Sequence, residues 1–326
     1  MNDIRYSLRR LAKSPVFTIT AIVTLALGIG MNTAVFSMVN AVMLRGLPYH
    51  DPGRLISLWE EFQGQGPGHF SGSPGPFAII QAQRTSVSAG NLGDYENRAR
   101  SLSGLSGIKN APMNLTGNGT PERLQGQGVS LNFFRLLGIS PSLGRGFLPE
   151  EGRPGSNFVV ILSNELWRRR FGADPQILGQ SLILDGNGYR IVGVLPPGFQ
   201  SPSEFSNPQH IDFYVPAAFS AQQLAEHGDH DLSVIGRLTP GTSVQRAQQE
   251  LDAISAALAR QFPHTNSGVR AVIAPLRDDL TRSVRLPLLM LLGAVALAVL
   301  IACANVANLF LVRAISRRRE ISIRFA

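Results

Sequence analysis

Two stretches without a single charged residue, 14–44 and 286–312, constrain this chain more than any other feature. A helix needs roughly 20 apolar residues to cross the hydrocarbon core of a bilayer. Both stretches exceed that, with room for tilt. The later one, "LPLLMLLGAVALAVLIACANVANLFLV", is apolar on every face, which a buried helix of that length in a globular protein rarely is. The earlier one, "VFTITAIVTLALGIGMNTAVFSMVNAVML", also carries Asn32, Asn40 and several threonines. Arg5, Arg9, Arg10 and Lys13 precede it, as they would a secretory signal. A signal's apolar segment is only about 7–15 residues long. This one runs further, and no small-x-small cleavage site closes it, so we read it as a retained helix. The expected fold class is a membrane protein: two transmembrane α-helices, 16–44 and 286–312, flanking an α+β periplasmic domain of two lobes at 45–285.

Orientation follows from basic residues near the helix ends. Before the first helix stand Arg5, Arg9, Arg10 and Lys13; after the second stand Arg313, Arg317, Arg318, Arg319 and Arg324. Between the helices, Arg277, Arg282 and Arg285 are diluted by Asp278 and Asp279. Both termini are therefore expected in the cytoplasm of a multi-pass inner-membrane protein, with 45–285 exported. The net charge of +8 could suggest a nucleic-acid partner. Much of the excess lies at the two cytoplasmic helix flanks, where it orients the helices and meets the lipid bilayer, so no nucleic acid is expected. Residues 1–15 read as a cytoplasmic amphipathic lead-in, with Ile4, Leu8 and Leu11 on one stripe, and 313–326 as a basic cytoplasmic segment. The only cysteine, Cys303, lies in the second apolar stretch. The exported part has no disulfide and must be held by its own core, which suits a periplasm.

Within 45–285 the pattern turns to short apolar runs between turn signals. "RLISLWE" (54–60) reads as a strand and 63–76 as a Gly/Pro/Ser loop. A short helix is expected at 91–100. Strands are expected at 123–130, 157–163, 180–185 and 189–196, the last two joined at "DGNG", a hairpin signal. Helices at 131–137 and 164–171 end at Gly138 and Gly172, where a left-handed residue is usual. Further on, 232–238 reads as a strand and Thr242 with Gln245 as a capping box. Val244, Ala247, Leu251, Ile254 and Leu258 form one helical stripe, and 269–276 reads as a strand. Such a strand–helix–strand unit packs its helix on one sheet face. Residues of about 103–220 are expected to form a lobe inserted into the sheet that the flanking strands build. No internal repeat is evident.

The chemistry is sparse. A P-loop needs a lysine after glycine to reach the nucleotide phosphates. The chain's lysines are Lys13 and Lys109, and neither follows a glycine. ATP, if it drives this protein, is bound elsewhere, and no enzyme activity is expected of this chain. "EHGDHD" (226–231) gathers Glu226, His227, Asp229, His230 and Asp231. Such close spacing does not aim several ligands at one ion, so a solvated loop is the plainer reading, with neither metal nor cofactor expected. "GHFSGS" (68–73) departs from the nucleophile elbow of serine hydrolases, and no catalytic residue is assigned. Small and amide residues are the usual glue between membrane helices. Gly28, Gly30 and Asn32 on the first helix, and Asn305 and Asn308 on the second, are therefore candidates for a helix–helix interface.

Several segments carry a resemblance. "SPVFTITAIVTLALGIGMNTAVFSMVNAVMLRGLPYHDPGRLISLWE" (14–60), "GVSLNFFRLLGISPSLGRGF", "VVILSNELWRRRFGADPQILGQSLILDGNGYRIVGVLPPGF" and "ANVANLFLVRAISRRREISIRFA" resemble, in order, the MacB/FtsX-like ABC transporter permeases of the large acidobacterial-type group. Residues around 20–250 resemble the MacB-type periplasmic core domain. Gly46, often proline in the family, and "HGDHD" (227–231), where an aromatic is often found, depart from the pattern. The resemblance implies the permease subunit of an ABC transporter exporting drugs, peptides or lipoproteins. Its implied partners are a cytoplasmic ABC ATPase, a second permease subunit or half, and beyond them a periplasmic adaptor and an outer-membrane channel. The family continues with further helices where this chain stops, so the sequence reads as an N-terminal fragment. A two-helix sensor with a periplasmic ligand-binding domain would show the same topology and is the alternative.

Overall fold

A computed structural model describes residues 15–39, 46–62, 84–117, 119–206 and 209–324. The amphipathic stripe expected at 2–13 and the loop expected at 63–76 lie outside the described residues. The chain divides into two compact units, 47–280 and a second made of 1–46 with 281–326.

The second unit holds the two apolar stretches. Helix α1 covers Pro15–Val39 without a charged residue. Within the long helix Leu276–Arg324, the segment Val284–Asn305 is, among the described residues, the one long and apolar enough to cross a membrane. This helix begins directly after the last strand rather than at 286, so Arg277, Arg282 and Arg285 are already helical.

The unit 47–280 has a mixed α/β architecture built on one sheet of fourteen strands among the described residues. The strands are β1 (Leu55–Phe62), β2 (Arg84–Thr85), β3 (Val87–Ser88), β4 (Leu102–Asn110), β5 (Met113–Thr116), β6 (Glu122–Leu124) and β7 (Gly126–Val129). They continue with β8 (Leu143–Gly144), β9 (Val159–Leu162), β10 (Ser181–Leu184), β11 (Asn187–Val194), β12 (Phe213–Pro216), β13 (His230–Leu238) and β14 (Val269–Pro275). The order across the sheet is β14-β1-β13-β4-β7-β12-β9-β11-β10-β5-β6. The first and last long strands are thus neighbours, with Ile56 opposite Pro275. The strands from β4 to β12 extend the same sheet outward. Most pairs are antiparallel, while β7–β12 and β9–β11 run parallel.

The pleat explains the cores. Successive residues of a strand point to opposite faces, and β1 is buried from Leu55 through Glu60. Ile56 and Leu58 join Val234 and Leu105 under helices α2 (Ala89–Arg98) and α5 (Val244–Gln261). Leu55 joins Ile108, Ile235 and Tyr214 with Phe133 and Phe134 of helix α3 (Phe133–Leu137). A third core, around Leu182, Leu184 and Phe213, packs Leu166 of helix α4 (Asn164–Phe171). Helix α6 is the long helix Leu276–Arg324.

The local devices match the sequence with some shifts. Asp185 and Gly186, at φ 47° and 79°, turn β10 into β11, the two positive values that a tight primed hairpin turn requires. The stripe of α5 buries Ala247, Leu251, Ile254 and Leu258. Its cap is not Thr242. Ser243 is the N-cap and accepts from Arg246 N, while Thr242 N donates to Thr239 O and belongs to the preceding turn. Helix α2 starts two residues before the expected 91, because Ser88 caps it through Asn91 N. The strand expected at 123–130 is broken in two. Gln125 N leaves the ladder for Asp212 Oδ2, and β6 and β7 then pair with different neighbours. Finally, α5 closes the outer edge of β14. Ile273 N donates to Gln248 Oε1, Gln248 Nε2 donates to Ala271 O, and Ala271 N donates to Ser255 Oγ.

Candidate functional site

The acidic and histidine residues of 226–231 do not converge. His230 opens β13 and places Nδ1 2.7 Å from Glu60 Oε2. Glu60 is fully buried, and its other oxygen accepts from Tyr95 Oη and Asn91 Nδ2, both at 2.8 Å. Asn91 and Asn266 pair their amides reciprocally at 2.8 and 3.1 Å. His227 goes elsewhere: its ring stacks on Phe262, with Nε2 3.0 Å from Asp94 Oδ2 and Nδ1 3.0 Å from Ala225 O. Glu226 accepts from Gly228 N, and Asp231 forms an ion pair with Lys109. Among the described residues, no three His, Cys, Asp or Glu side chains are grouped to hold a metal.

The electrostatics fit a fastening. Burial and then the charge of Glu60 push the Tyr95 hydroxyl well above the usual tyrosine range, so it remains a donor. At His230 burial pulls the imidazole down, but the hydrogen bond and charge of Glu60 leave it above its ordinary value. The network ties β1, α2, the start of β13 and the segment after α5 into one corner. Glu60, Asn91, Tyr95 and Asn266 were not singled out from sequence. The available signal was the carboxylate pair Glu60–Glu61 within the mostly apolar strand β1.

A different place offers room for a ligand. On the sheet face of the second core lies a groove of about 650 Å³. Ser57 and Trp59 of β1, Ser233 and Ile235 of β13, and Ile108 and Asn110 of β4 line it, joined by Gln127 of β7 and the first turn of α6. Trp59 is 8% exposed, and the Arg84 guanidinium lies 3.6 Å over its ring. Arg84 also pairs with Glu61 and Asp279. Trp59 Nε1 has no hydrogen-bond partner among the described residues. Gln127 is fully buried, donating to Ser203 Oγ at 2.6 Å and accepting from Ser201 Oγ at 2.8 Å. Sequence reasoning missed this groove, because its walls come from strands far apart in the chain.

The interface candidates are all helical. Gly28, Gly30 and Asn32 lie on α1, and Asn305 and Asn308 on α6. Asn32, Asn305 and Asn308 are exposed, and a Cβ built at Gly30 meets nothing within 4 Å.

Comparison with known proteins gives a consistent picture. The family model described as MacB-like periplasmic core domain matches residues 18–254. The macrolide export ATP-binding/permease protein MacB of Burkholderia thailandensis is 28% identical over 204 residues, covering 61% of this chain and 29% of that protein. Its counterpart in Burkholderia pseudomallei is 27% identical over the same length and shares. This chain thus spans less than a third of the length of these curated relatives. Among solved structures, a domain of a Porphyromonas gingivalis protein described as a permease aligns with TM-score 0.50 at 16% identity. It covers 70% of this chain and 92% of that one, a likeness of fold alone.

Proposed function

The chain belongs to the family of MacB-like periplasmic core domains, and from that membership we propose that it is the membrane subunit of a MacB-type ABC transporter. The observation that carries the reading is the extent of the match. It begins at residue 18, inside α1, and runs to 254, inside α5, so the apolar helix and the sheet domain belong to one family unit. In this reading both apolar helices cross the inner membrane, both termini are cytoplasmic, and 45–285 is a periplasmic domain with 103–220 as its inserted lobe. The curated relatives are described as ATP-binding and permease in one protein. Residues 1–326 contain no lysine following a glycine, so in this reading the hydrolysis takes place outside these residues, in a cytoplasmic ABC ATPase. A second permease subunit or half, a periplasmic adaptor and an outer-membrane channel complete the proposed assembly. The proposed cargo is a drug, peptide or lipoprotein, by analogy with relatives described as exporting macrolides.

Affinity purification from bacterial membranes tests the assignment. The tagged chain is expected to retain an ABC ATPase, and vesicles carrying both are expected to hydrolyse ATP faster when cargo is present. Recovery without any ATPase would count decisively against the transporter reading.

A further inference from the structure

We propose that a second groove, of about 340 Å³, binds a short peptide of apolar residues with free termini, its carboxylate on Arg135 and its ammonium on Glu96. Leu92, Gly93 and Glu96 line this groove from one face of α2, spaced three and four residues apart. A second wall comes from Asn132, the residue before α3, and from Arg135 within α3. Leu131, Phe219 and Leu224 add apolar surface, and Leu224 is 49% exposed. A Cβ built on Gly93 meets nothing within 4 Å, so the groove is open up to the backbone of α2. Beside apolar walls, charge-assisted hydrogen bonds gain strength.

Both charged groups are accessible and have capacity to spare. Glu96 and Arg135 are exposed residues. The Glu96 side chain reaches from α2 to Asn132, whose Nδ2 donates to Oε1 at 3.3 Å and to Leu105 O at 2.7 Å. This holds the carboxylate between two residues that line different walls, while Oε2 accepts no hydrogen bond among the described residues. The Arg135 guanidinium makes neither a hydrogen bond nor an ion pair among the described residues, and so does not pair with Glu96. A guanidinium fork with all its donors free matches a carboxylate in bidentate fashion. Opposite charges standing apart in one groove call for a ligand whose own charges stand apart. The termini of an extended peptide do, at about 3.5 Å per residue. The volume, at the small end of ligand cavities, limits the peptide to a few residues. The inference concerns binding and needs no ATPase, so its failure leaves the transport reading standing.

The test is calorimetric titration of the full chain in lipid nanodiscs, without nucleotide, with the dipeptide leucyl-leucine as probe. Saturable binding is expected. Glu96→Gln and Arg135→Gln are each expected to weaken it about tenfold, the loss of one charged contact. Gly93→Phe, which starts from open space, is expected to fill the groove and abolish it. Blocked probes separate the two ends. N-acetyl-leucyl-leucine keeps only the carboxylate, and its affinity is expected to respond to Arg135→Gln but not to Glu96→Gln. Leucyl-leucine amide keeps only the ammonium and is expected to behave the opposite way. On the unaltered chain both blocked probes are expected to bind about tenfold more weakly than leucyl-leucine, a comparison that holds whatever a variant does to folding. No saturable heat, equal affinity for leucyl-leucine and both blocked probes, or unchanged leucyl-leucine affinity in either charge variant would each overturn the proposal.

Discussion

His230 Nδ1 lies 2.7 Å from Oε2 of Glu60, a carboxylate with no exposure to solvent. Removing one member of a buried charged pair leaves the other uncompensated and costs about 3–5 kcal/mol. Glu60→Ala also strips the acceptor from Tyr95 and Asn91, so a loss of about that size is expected in thermal or denaturant unfolding. The contact should also be visible in pH dependence. Burial lowers His230, the bond and charge of Glu60 raise it, and its net value lies above the ordinary 6.5. The stabilisation is therefore complete below 6.5 and fades as pH rises through the higher folded-state value. The unfolding midpoint should fall from mildly acidic to alkaline buffer, and the fall should shrink in His230→Gln.

The cap of α5 gives a paired test. Loss of an N-cap hydroxyl costs about 1 kcal/mol. Ser243→Ala should lose about that much, and Thr242→Ala, one residue earlier, almost nothing, as measured by denaturant midpoints. Equal losses would return the cap to Thr242.

At Gly126 two strands and a ring crowd together. A Cβ there would run into the carbonyl oxygen of Ala111 and the ring of Phe213. Overpacking of this kind costs about 1–3 kcal/mol. Gly126→Ala should cost at least that. Gly146→Ala, where a Cβ meets nothing within 4 Å, should be nearly neutral in the same assay.

The two apolar helices carry the fourth test. Interhelical polar contacts in lipid are worth about 1 kcal/mol each. If Gly30 and Asn305 lie in an interface between copies or with further helices, Gly30→Leu and Asn305→Leu should each weaken association by about that amount. Energy transfer between labelled copies in vesicles reads the change, and an unaltered association curve would remove both residues from the interface.

The sequence was informative where structure is local and periodic. The stripe of α5 needs only a 3.6-residue repeat, and Asp185–Gly186 only a pair that tolerates positive φ. Where two neighbouring residues fit one role, as Thr242 and Ser243 do, the pattern could not choose between them. Only the turn bond of Thr242 N decides. The strand at 123–130 reads as continuous because nothing near it reveals that Asp212, 87 residues on, takes Gln125 N. The polar corner is less legible still. Asn91, Tyr95 and His230 reach Glu60 from 31, 35 and 170 residues away. The groove beside Trp59 had no local signature, because its lining comes from β1, β4, β7, β13 and α6, which lie far apart in the chain.

The closed outer edge of β14 bears on crowding. Identical domains brought close together can template one another strand to strand. Unpaired backbone groups on a sheet edge invite such pairing. Here Gln248 and Ser255 occupy the donors and acceptor of Ala271 and Ile273 before a neighbour can. At this end of the sheet, close packing of domains leaves the backbone of Ala271 and Ile273 unavailable to seed a lateral fibre. Any assembly it enters at that end must be made through side chains rather than by sharing a sheet.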